Sequence, residues 1–156
     1  MKYILDANVF IEASNRTYKP HIFPCFWEWL LTQNQDGNLC SIDQVYIELT
    51  EDKEDKISSW VKNQKGFFLP CEDEATQNNF AEHVLNGIEE YIPVGYSHQR
   101  KSTLEAHKDR FLSKADPWVI AKAMTLGAVI IIHETKVEDN SYKIKIPNIA
   151  KQFNLS

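Results

Sequence analysis

With 156 residues and a net charge of −5 at pH 7, the chain fits one acidic domain, residues 1–156, large enough to bury roughly two-thirds of the surface its unfolded form exposes. Its 43% hydrophobic and 25% charged residues, with 5 Gly and 6 Pro, exclude disorder and repeat architectures. Well-separated Cys25, Cys40 and Cys71 with no CxxC pair argue against a disulfide framework and a cysteine zinc site, and an acid already at Asp6 with no apolar run of membrane-spanning length predicts neither a signal peptide nor a membrane span; a cytoplasmic protein with reduced core thiols is expected.

Tyr3 to Leu5 is an apolar run that ends at Asp6 and passes through Ala7 and Asn8 into the mixed segment 9–13, which predicts a buried strand turning directly into a helix. Residues 22–35, with Phe23, Phe26, Trp27, Trp29, Leu30 and Leu31, predict a second helix stopped near Gly37. Most of these aromatics are assigned to packing, because rings at helical spacing fill interiors more often than they form grooves. Leu39 to Ser41 reads as a very short strand. Ser41-Ile42-Asp43-Gln44 matches a capping box, and a helix from about Ile42 to Lys62 follows from it. Glu48 lies three residues after Val45 on the inward half of that helix, out of pattern for an acid.

Phe67 to Leu69 reads as another short strand, and residues 74–91 as a helix carrying Phe80, Val84, Leu85 and Ile88 on one face. Residues 92–103 read as a loop. Asp116 as N-cap, Pro117 at the first helical position and Gly127 as the stop define a helix to Leu126, and Ala128 to Ile132 is a β-branched strand ending at His133-Glu134. The Lys143 to Ile146 alternation suggests a further short strand before a helix over residues 147–153. This order predicts an α/β domain of three layers, α/β/α, with a short, mainly parallel sheet.

Open α/β sheets place their sites beyond the C-terminal strand ends. Asp6 and Glu134 fall at two such ends, Asp116 at a helix start, and Glu48 can reach the same crevice from a helix interior. Singly, Asp6 and Asp116 are explained as caps and Glu134 as a solvated loop residue; Glu48, flanked by Val45 and Leu49, is costly to bury without a cation or several donors. Converging carboxylates with no Lys or Arg among them call for counter-charge, and an all-oxygen set selects Mg²⁺ or Mn²⁺ over zinc.

The run from Tyr3 to Phe10 with Asp6 and Asn8, the helical Glu48, the segment Lys114-Ala115-Asp116-Pro117-Trp118 and the strand-end Glu134 together resemble the PIN-domain ribonucleases, in particular the VapC-like toxins, across essentially the whole chain. The family more often has Asp or Asn near the position of Glu134. The resemblance implies a PIN-like fold and a metal-dependent endoribonuclease in which Asp6, Glu48 and Asp116 hold Mg²⁺ or Mn²⁺. Glu134 then assists, Asn8 orients Asp6, and water attacks the phosphodiester in line to leave 5′-phosphate and 3′-hydroxyl ends. It also implies an RNA substrate, a small antitoxin protein docking on the early helices, and a homodimer.

The net charge weighs against a nucleic-acid partner, but its distribution is uneven: residues 72–90 hold acids and no Lys or Arg, whereas residues 98–114 hold five Lys or Arg against two acids. Arg100, Lys101, Arg110 and Lys114 are the candidate RNA contacts there, against the plainer reading of a solvated helix face. His98, His107 and His133 are not needed by the mechanism. Two rivals remain. One is a PIN-like protein that only binds RNA or a partner, its acids serving as caps. The other is a phosphatase similar to the haloacid dehalogenases, in which Asp6 would be a nucleophile, but Asn8 cannot serve as that family's second acid.

Overall fold

The computed structural model describes residues 1–51, 56–134 and 137–155. Four parallel strands, β1 (Tyr3–Leu5), β2 (Leu39–Ile42), β3 (Phe68–Leu69) and β4 (Val129–Ile131), lie in the order β3-β2-β1-β4. Ile4 and Ile42 are fully buried, as expected of strands covered on both faces. Helices fill the crossovers, α1 (Ala7–Glu12), α2 (Pro24–Gln35), α3 (Asp43–Thr50), α4 (Lys56–Asn63), α5 (Glu74–Asn79), α6 (Leu85–Glu89), α7 (Lys101–Leu112) and α8 (Asp116–Leu126), and α9 (Ile146–Ala150) follows β4. The result is a three-layer α/β/α architecture. Among the described residues no helix is long and apolar enough to cross a membrane.

One helical layer is joined to the sheet by rings: Trp60 of α4 meets Trp27 of α2 at 4.8 Å, and Phe10 of α1 meets Phe67 at 5.8 Å and Phe68 of β3 at 5.8 Å. In the other layer α8 packs on β1, β2 and β4, with α5, α7 and α9 against it, and its Trp118 stacks on Phe80 at 4.0 Å. Buried Lys122 of α8 donates to the Pro70 carbonyl and to Asp73, whose carboxyl it holds down at about 2. Lys122→Met keeps the bulk but strands the Pro70 carbonyl, so chemical denaturation should register a loss of about 1–3 kcal/mol.

Local chemistry sets the helix ends. Gly37 and Gly127 take φ of +74° and +58°, the left-handed turn that lets backbone N–H groups close back on the last carbonyls of α2 and α8.

Several expectations need correction. The helix expected over residues 42–62 ends at Thr50, with Glu51 extended, and resumes as α4; its residues 52–55 lie outside the described ones. No capping box forms, because Ser41 belongs to β2 and its hydroxyl donates to the Leu5 carbonyl at 2.7 Å. Asp43 does local capping instead, accepting from the N–H groups of Gln44 and Cys71. The helix expected over residues 74–91 contains a π turn at Phe80–Val84. Helical structure begins at His98 rather than after residue 103. Among the described residues Lys143 to Ile146 forms no strand; Lys145 precedes α9. Cys40 and Cys71 are buried, but Cys25 is exposed, as are Phe23 and Trp29 of the aromatic run.

Candidate metal centre

The chain leaves β1 toward α1 and β2 on one side of the sheet and returns through α8 into β4 on the other, so the C-terminal ends of neighbouring β1 and β4 open at a topological switch point. Asp6 directly follows β1, and Glu134 lies just past the end of β4.

Asp6 is 1% exposed and caps α1, accepting from the Asn8 backbone N–H at 3.3 Å. The Asn8 side-chain amide donates to the same Asp6 oxygen at 3.2 Å and to Glu134 Oε1 at 3.4 Å, so a single carboxamide ties the two strand ends together. Glu48 sits half-buried on α3 between Val45 and Leu49, both fully buried, and its Oε1 accepts from the Ala115 N–H at 2.9 Å. That bond draws α3 to the start of α8. Ala115, not Asp116, is the N-cap of α8, and Asp116 opens the first turn as part of the helix. The expected capping role of Asp116 is therefore corrected: its carboxylate projects to the crevice instead. A cavity lined by Asn8, Glu48, Lys114, Asp116 and Glu134 faces this cluster.

The four acids share one electrostatic field. Burial, aided by Glu48 and Glu134, pushes the Asp6 carboxyl up to about 6 against the lowering pull of the Ala7 and Asn8 N–H groups. Burial, then Asp6, then Glu48 and Glu134 raise Asp116 to about 7, opposed by Lys114. Lys145 approaches Glu134 at 3.9 Å.

Buried Asp6 Oδ1 and Glu134 Oε2 have no hydrogen-bond partner among the described residues, an arrangement that leaves charge without solvation. Two orphaned acid oxygens, in a cluster containing no Cys or His, fit a hard divalent cation. Among the described residues no three His, Cys, Asp or Glu side chains stand in a ligating arrangement. Glu48 Oε1 is engaged by the Ala115 N–H, and Glu134 Oε1 by Asn8 and Lys145.

The basic candidates divide. Arg110 and Lys114 line a cavity beside Asp116 and Glu134, whereas Arg100 lies over the Tyr142 ring at 5.6 Å, bordering a different cavity, and Lys101 is exposed at the start of α7. His107 reaches the first of these cavities; His98 packs on Tyr96 and His133 lines an apolar recess near Tyr18. Lys143 and Lys145 also border the first cavity, a placement that no local sequence pattern marks. Their available signal was the basic half of the Lys143 to Ile146 alternation, which reads as strand patterning until the tail is folded back against α7.

Residues 3–156 match the family described as domain of unknown function (DUF4411). No curated protein and no solved structure matches the chain. A match spanning nearly the whole domain, from β1 through all four acids to the C-terminal helix, makes the chain a member of the DUF4411 family.

Proposed function

We propose that this protein is an endoribonuclease that uses Mg²⁺ or Mn²⁺ to hydrolyse RNA phosphodiesters, and that it acts in the cytoplasm as the toxin of a toxin-antitoxin pair, held in check by a small partner protein and able to form a homodimer. The observation that carries the catalytic reading is the field shared by Asp6, Glu48, Asp116 and Glu134 at one strand-end crevice, with two acid oxygens left without partners among the described residues. The likeness to VapC-like toxins in the Asp6, Glu48 and Asp116 segments supports the cellular role.

In this reading Asp6, Glu48 and Asp116 hold the cation and Glu134 completes the set directly or through water. The bound cation supplies Lewis-acid stabilisation of charge on the phosphoryl oxygens and lowers the pKa of water. The chain's own groups do the positioning. Asn8 keeps Asp6 and Glu134 at a fixed separation, and the Ala115 N–H fixes the reach of Glu48 from α3. Lys114 offsets the negative field at Asp116. Hydrolysis adds a water oxygen to phosphorus and breaks the bond to the 3′ oxygen, which leaves as a hydroxyl and keeps the phosphate on the 5′ side.

Incubation of the protein with single-stranded RNA and Mn²⁺ should give 5′-phosphate products, stopped by EDTA. Glu48→Gln keeps an oxygen for the Ala115 N–H but removes the charge, so its melting temperature should hold while cleavage is lost. Cleavage that survives EDTA, or that persists in Glu48→Gln, contradicts the proposal.

A further inference from the structure

The cavity beside the acids is basic on its other walls. It measures about 170 Å³, and Arg110 and His107 of α7, Lys114 between α7 and α8, and Lys143 and Lys145 of the segment before α9 border it. Its inner wall is formed by Asp116 and Glu134, and Lys114, Asp116 and Glu134 also line the carboxylate cavity, so the two compartments adjoin.

In a chain of net charge −5, four Lys or Arg facing one small cavity from separate segments is not explained by composition. Nor is it explained by ion pairing. Among the described residues Arg110, Lys114 and Lys143 have no ion-pair partner, and Lys145 has only the 3.9 Å approach to Glu134. Four positive side chains against the two acids of the inner wall leave an excess of positive charge, and a bound anion relieves it.

The size and lining restrict the anion. At about 30 Å³ per water the space holds roughly five or six waters, enough for a phosphate group. Of its two rings among the described residues, Phe111 is 2% exposed and presents no open face for a base, and His107 is half-buried, so Lys and Arg dominate the lining. The chemistry is therefore that of backbone charge.

We propose that this cavity is a phosphate subsite, which seats the backbone phosphate next to the scissile one when a single-stranded RNA lies across the carboxylates. That the strand is RNA rests on the nuclease reading above. Arg110 offers a planar fork of donors and the lysines point charges, a combination suited to a phosphodiester. A phosphate here also competes with Glu134 for Lys145, so that strand binding loosens that contact.

The test is binding of fluorescein-labelled single-stranded RNA in EDTA, where cleavage does not interfere, over a series of salt concentrations. Arg110 and Lys143 are both exposed, so Arg110→Ala/Lys143→Ala should fold normally; Lys62→Ala/Lys65→Ala removes the same charge from exposed positions on and after α4. The first double variant should bind roughly tenfold more weakly, with a log–log salt slope lower by about one, and the second should change less than twofold. Equal weakening in both doubles, or none in the first, overturns the subsite. Inorganic phosphate that raises the wild-type melting temperature only, while RNA affinity is unchanged in Arg110→Ala/Lys143→Ala, assigns the cavity to free phosphate and overturns the strand proposal. Wild type that binds RNA with the expected dependence yet never cleaves it with Mn²⁺ contradicts the nuclease reading and leaves the subsite standing. Wild type that cleaves, with the first double variant binding and cleaving equally well, does the reverse.

Discussion

Asp116→Asn should lower Mn²⁺-dependent RNA cleavage by roughly a thousandfold or more while making the metal-free protein harder to unfold at pH 8. The first effect follows because stabilisation worth several kcal/mol is lost with a ligand charge, and each 1.36 kcal/mol is a tenfold change in rate. The second follows from the cost of the charge itself. Asp116 is pushed up to about 7 first by burial and next by Asp6, so at pH 8 the folded protein holds an ionised group that the fold disfavours. Asparagine keeps the shape and removes that penalty. A residue retained for stability would respond in the opposite sense, so kinetic assays paired with melting curves separate the two roles. Loss of stability in Asp116→Asn together with undiminished cleavage would contradict the assignment.

The metal-free protein should also lose stability as pH rises from 5 to 8, a direction opposite to that of ion-paired carboxylates. Asp6 and Asp116 are raised from 3.8 to about 6 and about 7. Groups raised on folding contribute stability that is complete below the unfolded value and disappears as pH climbs through the folded one, so the window is about pH 4 to 7 and its tail reaches 8. Between pH 5 and 8 the two together should remove about 4 kcal/mol, or roughly 8–16 °C of melting temperature in a chain of this length. Mn²⁺ should cancel the trend, because it binds the deprotonated acids; at a hundred times its Kd it adds about 2.7 kcal/mol. Its stabilising shift should therefore be small at pH 5 and large at pH 8. Asp6→Asn/Asp116→Asn should flatten the metal-free curve and abolish the shift. A metal-free melting temperature that rises steadily from pH 5 to 8 in wild type would mean that these acids are well solvated in the fold.

Asp6 and Glu134 were legible because strand ends are marked by apolar runs, and runs such as Ala128 to Ile132 need no tertiary information to be read. Glu48 was legible as an anomaly: an acid between Val45 and Leu49 contradicts the helix period. Its partner was not, since the Ala115 N–H lies 67 positions away and becomes available only when α3 and α8 converge. Asp116 was read as a cap because Asp-Pro is a common helix start; the structure shifts the cap to Ala115 and frees the carboxylate. Ser41 misled for a related reason. Its spacing to Gln44 fits a capping box, but parallel pairing of β2 with β1 holds its hydroxyl at Leu5. Lys143 and Lys145 are not legible as site residues because their placement depends on the tail folding back beside α7, a long-range event with no local pattern.

Crystals of the wild-type protein soaked in Mn²⁺, with anomalous difference maps recorded, bear most directly on whether the four acids form a cation site. The expected result is a peak bounded by Asp6, Glu48 and Asp116, with Glu134 turned from Lys145 toward it, and no such peak in Asp116→Asn crystals soaked alike. A crevice without anomalous density at saturating Mn²⁺, its acids arranged as in the metal-free protein, would contradict a metal-dependent nuclease.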